Sequence, residues 1–499
     1  MAQKKANKTP QKSQNQPVRK GLDLDTIASK LLWPVFILYA LAVIFGAMHH
    51  EPWRDEAETW LIVRDNNLVG LFGLIPVEEH PPLWFLVMMP IAKTGLPYST
   101  ISYLPTVIMI GAVFILLFKT KLPVLVKLVL PFSYIFFYEY SVISRNYCLV
   151  IFFVAAIISL YPKRFDKPLL FALCVIGLFN SEGLVFGLCA ALLILYVIDA
   201  IQYKNLNVNV ITAILLMTIG GFYLIPYMAL NPAASMYQEL IKNSWLQISN
   251  ALIGAVDVNV NALFAALIWA VLILVLSTRT KSLFILLMGA ACVLYIMGYK
   301  YNLGFPRQFG ILFAIMIAAF GISDQYNNDK LNIIKFNKWG PMKFGSWIFL
   351  LIVLLQVPST YASYKDDIDH DFSGAKEAAK FIMDSHLKNN ILVGQQAWAV
   401  SAIVPYLPKG TQIYYGECER FGTYYVYDSC FQKNMWRKLP EYGVDMAFNH
   451  FKDKPESLVF IFNRPLGDRA IQYMDLLYQS PEQPIKKDEG FYIYRFKKH

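Results

Sequence analysis

The chain has 499 residues, of which 56% are hydrophobic and only 16% are charged, and its mean hydropathy is +0.41. This composition excludes an ordinary soluble domain, in which about a quarter of the residues are charged. The net charge of +10 does not indicate nucleic-acid binding, because the basic residues concentrate in the N-terminal tail and in short loops between apolar segments.

Residues 1–26 are rich in Lys, Gln and Asn and lack apolar periodicity, which predicts a disordered cytoplasmic tail. Residues 27–359 then predict a polytopic α-helical membrane domain, because apolar segments near the bilayer-spanning length of about 20 residues recur throughout it. The first segment is expected to be a retained anchor rather than a signal peptide. We predict about eleven transmembrane helices, at 28–48, 101–118, 122–139, 146–161, 168–180, 183–201, 209–229, 259–277, 282–299, 308–323 and 345–359.

The segment 82–96 is also apolar, but it is short and contains Pro90 and Lys93. If it does not cross the bilayer, the Lys and Arg clusters between spans fall on the side of the N-terminal tail, as the positive-inside rule requires. We therefore expect a juxtamembrane or re-entrant helix there. Counting crossings in this way from the N-terminal tail makes 49–100 the first extracytoplasmic loop. It also places 139–145, 230–258 and 300–307 on the extracytoplasmic side.

Residues 360–499 predict an extracytoplasmic α/β domain. Amphipathic helical patterns near 375–387 and 470–478 flank short β-rich runs at 391–393, 412–415 and 458–461. Cys418 and Cys430 belong to this region, and they either form a disulfide, if the region is extracytoplasmic, or remain free thiols.

Ionisable side chains occur on the predicted outer face, where carboxylates persist if they are solvated or take part in chemistry. Asp55 and Glu56 follow the first span, and Arg145, Glu182 and Arg307 lie at the outer ends of later spans. Four of these have a simpler interpretation: Asp55 and Glu56 as solvated loop acids, Arg145 as a side chain snorkelling to the headgroups, and Glu182 as a loop marker. Glu58, two residues after Glu56, is expected to be a solvated acid. His80, which precedes Pro81 and Pro82, either caps the following helix or binds a ligand.

The order Asp-Glu, then His-Pro-Pro-Leu, then Ser-Arg-x-Tyr resembles the GT-C superfamily, and within it the protein O-mannosyltransferases and aminoarabinose transferases. The resemblance covers about 28–325. It implies a GT-C-type membrane fold and a sugar donor linked to polyprenyl phosphate. It also implies Asp55 as the catalytic carboxylate, Glu56 at the second acidic position, and His80, Arg145 and Arg307 at the carrier phosphate.

The chemistry agrees with this mapping. A polyprenyl phosphate is a weakly basic leaving group, so one base for the acceptor hydroxyl and cations for the departing phosphate suffice. We therefore predict an inverting glycosyltransferase that moves a single sugar onto a surface glycan, lipid or protein in a bacterial plasma membrane. No cofactor is required, although Glu79, with His80 and Asp55, forms a candidate divalent-metal site. The alternatives are a transporter or flippase of polyprenyl-linked sugars and a non-catalytic assembly scaffold.

Overall fold

The computed structural model describes residues 29–78, 80–223, 244–257, 259–300, 306–333 and 341–497. Within these ranges a helical part precedes a smaller part built on a β-sheet. The helices of the first part are α1 (Leu32–His49), α2 (Arg54–Asp65), α3 (Leu68–Glu78), α4 (Leu83–Lys93), α5 (Tyr103–Lys119), α6 (Val124–Val129), α7 (Tyr147–Leu160), α8 (Pro168–Phe179), α9 (Phe186–Gln202), α10 (Val208–Phe222), α11 (Ser244–Gly254), α12 (Ala262–Leu276), α13 (Thr280–Lys300), α14 (Pro306–Ile322) and α15 (Pro341–Asp369).

Six helical segments of the described chain are long and apolar enough to cross a membrane. They are Leu32–His49, Tyr98–Lys119, Gly183–Gln202, Thr280–Met297, Arg307–Tyr326 and Lys343–Asp369. Eleven full-length spans are thus not found, because α7, α8, α10 and α12 are apolar but shorter helices. The end of the span predicted at 209–229 lies outside the described residues.

The predicted span at 122–139 is not one helix, and this prediction was wrong. Helix α6 ends at Val129, a 3-10 turn follows at Leu130–Phe132, and a π-helical turn occupies Ile135–Glu139. Pro131 lies in the first turn of the 3-10 segment, where its ring and missing N–H prevent a continuous helix. The hydropathy of the segment gave no sign of this break.

Helix α4, in the segment whose crossing was in question, has 11 residues. At 1.5 Å per residue it is about 16 Å long, roughly half the thickness of a hydrocarbon core. It packs against α2 of the first loop. Both features agree with the juxtamembrane or re-entrant interpretation.

The C-terminal part contains a six-stranded mixed sheet in the order β3-β2-β1-β4-β6-β5. Strand β1 pairs in parallel with β2 and β4, whereas β2–β3, β4–β6 and β5–β6 are antiparallel. The strands are β1 (Ile391–Gly394), β2 (Ile413–Tyr415), β3 (Arg420–Gly422), β4 (Leu458–Phe462), β5 (Met474–Gln479) and β6 (Tyr492–Phe496), with helices α16 (Ala375–Asp384), α17 (Ala397–Val400), α18 (Ser429–Asn434), α19 (Pro440–His450) and α20 (Asp468–Ile471). The predicted α/β character is therefore confirmed.

The helix predicted at 470–478 is mostly a strand. Only Asp468–Ile471 is helical, and β5 then pairs along the edge of the sheet with β6. Asp475 lies opposite Arg495 across this pair, with 3.7 Å between Oδ2 and Nε. Cross-strand partners of this kind are invisible to a local helical pattern, which explains the error.

Cys418 and Cys430 are joined in a disulfide, as one of the two sequence interpretations required. The bond closes the segment that contains β3 and the tyrosines Tyr424 and Tyr425. A single hydrophobic core runs from the apolar helices into this domain, because Trp60 and Tyr98 of the helical part belong to the same cluster as Ala402 and Ile403. The sheet domain is therefore packed on the helical part near α2.

Candidate active site

The first turn of α2 places two adjacent acids, Asp55 and Glu56, in different surroundings. Trp53 is the N-cap, and Asp55 and Glu56 both lie in the first turn, where the helix dipole favours negative charge. The Glu56 carboxylate turns back and accepts a hydrogen bond from the Trp53 amide at 2.9 Å. Helical geometry then points Asp55 in a different direction, with its side chain 21% exposed while that of Glu56 is fully buried.

Asp55 lies among three arginines, two of which come from distant parts of the chain. Its Oδ2 atom is 3.0 Å from the nearest guanidinium nitrogen of Arg307 and 3.7 Å from that of Arg145. Arg54 approaches Oδ1 at 3.7 Å, and Arg145 Nη1 also donates to the Asp55 backbone carbonyl at 3.0 Å. The structure thus brings together three residues that the sequence had placed only on a common face.

These cations determine the protonation of Asp55. Burial by itself raises the pKa of the carboxyl, but the positive charges of Arg307, Arg145, Arg54 and Lys486 outweigh it and hold the pKa at about 2. Asp55 is therefore ionised throughout the physiological range.

His80 lies beside Arg145 and does not cap helix α4, which follows it in the chain. The N-cap of α4 is Pro82, which has no side-chain cap, and the Leu83 amide donates instead to the carbonyl of Asn180. His80 Nε2 lies 3.4 Å from Arg145 Nη2. The ligand-binding interpretation of His80 is therefore geometrically available, and the capping interpretation finds no support.

Glu56 belongs to a buried chain of polar groups beneath the surface. Besides the Trp53 amide it accepts a bond from the Ser144 amide, and it lies 3.0 Å from Nε2 of His50. The other ring nitrogen of His50 is 2.8 Å from Asp367 of α15. Burial by itself lowers the pKa of His50, but the carboxylates of Asp367 and Glu56 outweigh it and raise the pKa to about 10. Glu56 therefore holds the first loop to the turn at Ser144 and to α15.

Sequence reasoning underestimated Glu58, which was interpreted as a solvated acid. It is partly buried, and its carboxylate accepts a hydrogen bond from the hydroxyl of Tyr425 in the sheet domain at 3.0 Å. Burial raises its pKa well above the usual value, and the neighbouring charges of Glu78 and Asp55 raise it further. The signal in the sequence was the spacing of Glu58 from Asp55, since residues three positions apart on a helix share one face.

The sheet domain also reaches the site through a segment near its C-terminus. Asp488 lies 2.6 Å from the Arg54 guanidinium, and the buried Glu489 accepts from the Arg54 amide. The amine of Lys486 lies 4.2 Å from the centre of the Trp53 ring. These residues are some 430 positions from α2, and no local pattern pointed to them.

Glu182 lies outside this group. It is buried, and one carboxylate oxygen accepts from Asn146 at 2.7 Å while the other accepts from the Leu184 amide. It thereby connects the start of α7 to the turn before α9, a structural arrangement that agrees with its interpretation as a loop residue.

The residues around Asp55 do not fit a divalent ion well. The guanidinium groups of Arg307 and Arg145 occupy the space and supply the positive charge that a metal would bring to Asp55. Glu79, the other candidate ligand, lies outside the described residues. A second group, Cys418, Asp428 and Cys430, has ligand spacing in the described chain, but its two sulfurs are joined in the disulfide.

Comparison of the chain with protein-family models, with characterised proteins and with solved structures finds no match. The case for a function therefore depends on the order of motifs in the sequence and on the geometry around Asp55.

Proposed function

We propose that the protein is an integral membrane glycosyltransferase of the GT-C type, which transfers one sugar from a polyprenyl-phosphate donor to a hydroxyl of a surface glycan, lipid or protein. The observation that carries the proposal is an ionised carboxylate, Asp55, held between two arginines at one end of an apolar bundle. Arg145 lies in the turn before α7, and Arg307 lies in the first turn of α14. A proton acceptor and cations for a leaving phosphate are the two requirements of this reaction.

In the proposed reaction, Asp55 accepts the proton of the acceptor hydroxyl while the oxygen of that hydroxyl attacks the anomeric carbon. The bond from that carbon to the phosphate oxygen breaks, and its electron pair leaves with the phosphate. Arg145, with His80 beside it, and Arg307 stabilise the negative charge that develops there, since guanidinium groups bind phosphate oxygens through two parallel hydrogen bonds. A single displacement inverts the configuration of the sugar.

A carboxylate with a pKa of about 2 is a weak base, but binding of the donor would raise the pKa of Asp55. A bound phosphate competes with Asp55 for the charges of Arg145 and Arg307. As these cations turn toward the phosphate, the proton affinity of Asp55 rises. Donor binding would therefore activate the base only when there is a sugar to transfer.

The proposed setting is a bacterial plasma membrane, with the N-terminus cytoplasmic and both Asp55 and the sheet domain extracytoplasmic. The full count of about eleven spans belongs to this proposal. The shorter apolar helices α7, α8, α10 and α12 and the interrupted segment 122–139 would complete the set of six longer ones. The sheet domain would help to present the acceptor. Its contacts with α2, through Tyr425 and Asp488, support a role at the site rather than as a separate module.

The deciding experiment uses the full chain purified in detergent, a synthetic polyprenyl-phosphate sugar labelled in the sugar, and a cell-envelope fraction as acceptor. Asp55→Asn should reduce transfer by about 10²–10⁴-fold while donor binding is largely kept. Arg145→Ala should instead weaken donor binding by at least roughly tenfold, the value of a charged hydrogen bond.

Asp65→Asn is the matched control, because this acid lies at the other end of the same helix from Asp55 and pairs with Arg64. Its transfer rate should equal that of the unmodified chain. Near-normal turnover in Asp55→Asn would remove the base from the mechanism. Transport of the labelled donor across vesicles without any transfer would favour a flippase instead.

A further inference from the structure

The indole of Trp53 is surrounded by cations. The guanidinium carbons of Arg54 and Arg307 lie 5.0 Å and 5.3 Å from the ring centre, and the amine of Lys486 lies 4.2 Å from it. Trp53 itself is only 2% exposed. Attraction to the ring offsets part of the repulsion between these like charges, but each contact of this kind contributes only about 0.5–2 kcal/mol.

Two of the three cations are neutralised by carboxylates, and the third is not. Arg54 pairs with Asp488 at 2.6 Å and Arg307 pairs with Asp55 at 3.0 Å. Among the residues that the structure describes, no carboxylate oxygen lies within ion-pair distance of the Lys486 amine. Burial lowers the pKa of Lys486, and Glu139, although close enough to oppose this, already accepts a hydrogen bond from Tyr134.

Lys486 forms one wall of a cavity of about 170 Å³. Arg307 and Glu139 line it together with aromatic rings, the principal ones being those of Trp53, Tyr138 and Phe372. Such a volume holds roughly a dozen water-sized groups, which suits one phosphorylated sugar unit and not a lipid chain. Since Arg307 lines the cavity and also pairs with Asp55, the cavity adjoins the proposed base.

We propose that this cavity, the Lys486 pocket, binds the phosphoryl group of a hydroxyl-bearing phosphate ester between Lys486 and Arg307, so that the sheet domain supplies a substrate-binding residue. The inference rests in part on the proposed function, because the pocket shares Arg307 with the phosphate site proposed there and adds Lys486 to it. Lys and Arg are both phosphate ligands, as a point charge and as a planar fork respectively. Glu139, which also lines the pocket, accepts hydrogen bonds from the hydroxyl groups of the ester.

The phosphoryl group has two possible sources: the polyprenyl-phosphate donor and a phosphate on the acceptor glycan. Steady-state transfer kinetics separate them. If the donor occupies the pocket, Lys486→Met raises the KM for the donor by at least roughly tenfold; if the acceptor occupies it, the KM for the acceptor rises instead. In either case kcat changes much less than KM. Unchanged KM values for both substrates would overturn the proposal.

A binding measurement tests the pocket without any transfer. Glucose 1-phosphate, with inorganic phosphate as a second probe, is titrated calorimetrically into the full chain in detergent. Binding should weaken at least roughly tenfold in Lys486→Met, and Lys486→Arg should restore most of it. Lys487→Met is the matched control, because Lys487 is the adjacent residue but is exposed and lies outside the pocket. Its affinity should match the unmodified chain.

The two proposals fail in different ways. Phosphate-ester binding that depends on Lys486 in a chain with no transfer activity would uphold the pocket and reject the transferase. Sugar transfer whose kinetics are unchanged by Lys486→Met would uphold the transferase and reject the pocket. No binding of glucose 1-phosphate by the unmodified chain, or equal binding by Lys486→Met, would reject the pocket. Equal melting temperatures for the Lys486 and Lys487 variants show that a loss of binding is not a loss of folding.

Discussion

The neighbouring acids Asp55 and Glu56 have the same chemistry and opposite surroundings. Asp55 is partly exposed and faces guanidinium groups, whereas Glu56 is fully buried and bonded to backbone amides and His50. A carboxylate whose oxygens are already occupied by such donors cannot exchange protons with a substrate easily. The two residues therefore divide into a candidate base and a residue that positions the loop carrying it.

This division predicts a large loss of stability at position 56. Glu56→Ala would leave the Trp53 and Ser144 amides and a charged His50 without their buried acceptor, which typically costs about 3–5 kcal/mol. Thermal unfolding in detergent should show a clearly lower melting temperature. Asp65→Ala, on the same helix, removes a partly exposed pair and should cost under about 1 kcal/mol. Equal melting temperatures for the two variants would contradict the assignment of Glu56.

At the scale of elements, the sheet domain is held on α2 and its N-terminal flank by contacts from several separate segments. Lys376 at the start of α16 donates its backbone N–H to the Glu51 carboxylate at 3.0 Å, and the side-chain amide of Asn66 donates to the hydroxyl oxygen of Tyr424 at 2.7 Å. Tyr425 and Asp488 add the contacts to Glu58 and Arg54. Because titratable groups take part, docking should depend on pH.

Stability should fall as the pH rises above neutrality. The stabilisation that His50 contributes is complete below its ordinary pKa of 6.5 and is lost as the pH rises through about 10. Burial raises the pKa of Glu51 from 4.5 to about 8, so the folded protein keeps a proton that the unfolded chain releases, and stability decreases across that interval. Melting temperatures measured from pH 5 to 10 should therefore decline.

Glu51→Gln tests the contribution of this one residue. The amide resembles the protonated carboxyl and does not titrate, so the decline between pH 5 and 8 should become shallower while the His50 component remains. A melting temperature that rises with pH, or a variant with an unchanged profile, would contradict the assignment.

The disulfide should stabilise the loop that carries Tyr425. Its cysteines are separated by 12 positions, and closing a loop of about 15 residues contributes about 3 kcal/mol. The double change Cys418→Ser with Cys430→Ser should therefore lower the melting temperature and also reduce transfer, since Tyr425 contacts Glu58 beside Asp55. Reductant should produce the same losses in the unmodified chain and none in the double variant. Reductant sensitivity in that variant would point to other cysteines.

At the scale of the whole molecule, charged groups gather at the two ends of the helical bundle. Opposite the Asp55 end, Asp199 near the end of α9 is fully buried and lies 2.8 Å from Arg164 and 2.7 Å from Lys281. Tyr326 donates its hydroxyl to the same carboxylate at 2.6 Å. A pathway for a transported solute would place ionisable groups along its length, whereas these networks join helix ends.

Asp199→Asn should therefore destabilise the bundle without altering the chemistry at the other end. Arg164 would lose its carboxylate partner, and Lys281 would keep only Asp329, which lies 2.9 Å from its amine. Breaking a buried pair in this way costs about 3–5 kcal/mol, while transfer per folded molecule well below the melting temperature should stay near normal. Asp369→Asn is a suitable control, because its pair with Lys365 is exposed to solvent and contributes little to stability. A selective loss of transfer in Asp199→Asn would place this network in the reaction.

The sequence alone determined the membrane character of the chain, the α/β nature of residues after 360, and the common face of Asp55, Arg145 and Arg307. These follow from hydropathy, periodicity and the parity of helices, which are local properties or simple sums of them. The break at 130–139 has a local cause, Pro131, which hydropathy does not register. Only the tertiary structure decided the strand at 474–479, the burial of Glu56 and Glu58, and the approach of Lys486. Each of these depends on partners far away in sequence, up to 435 positions for Arg54 and Glu489, and burial and charge are set by such partners.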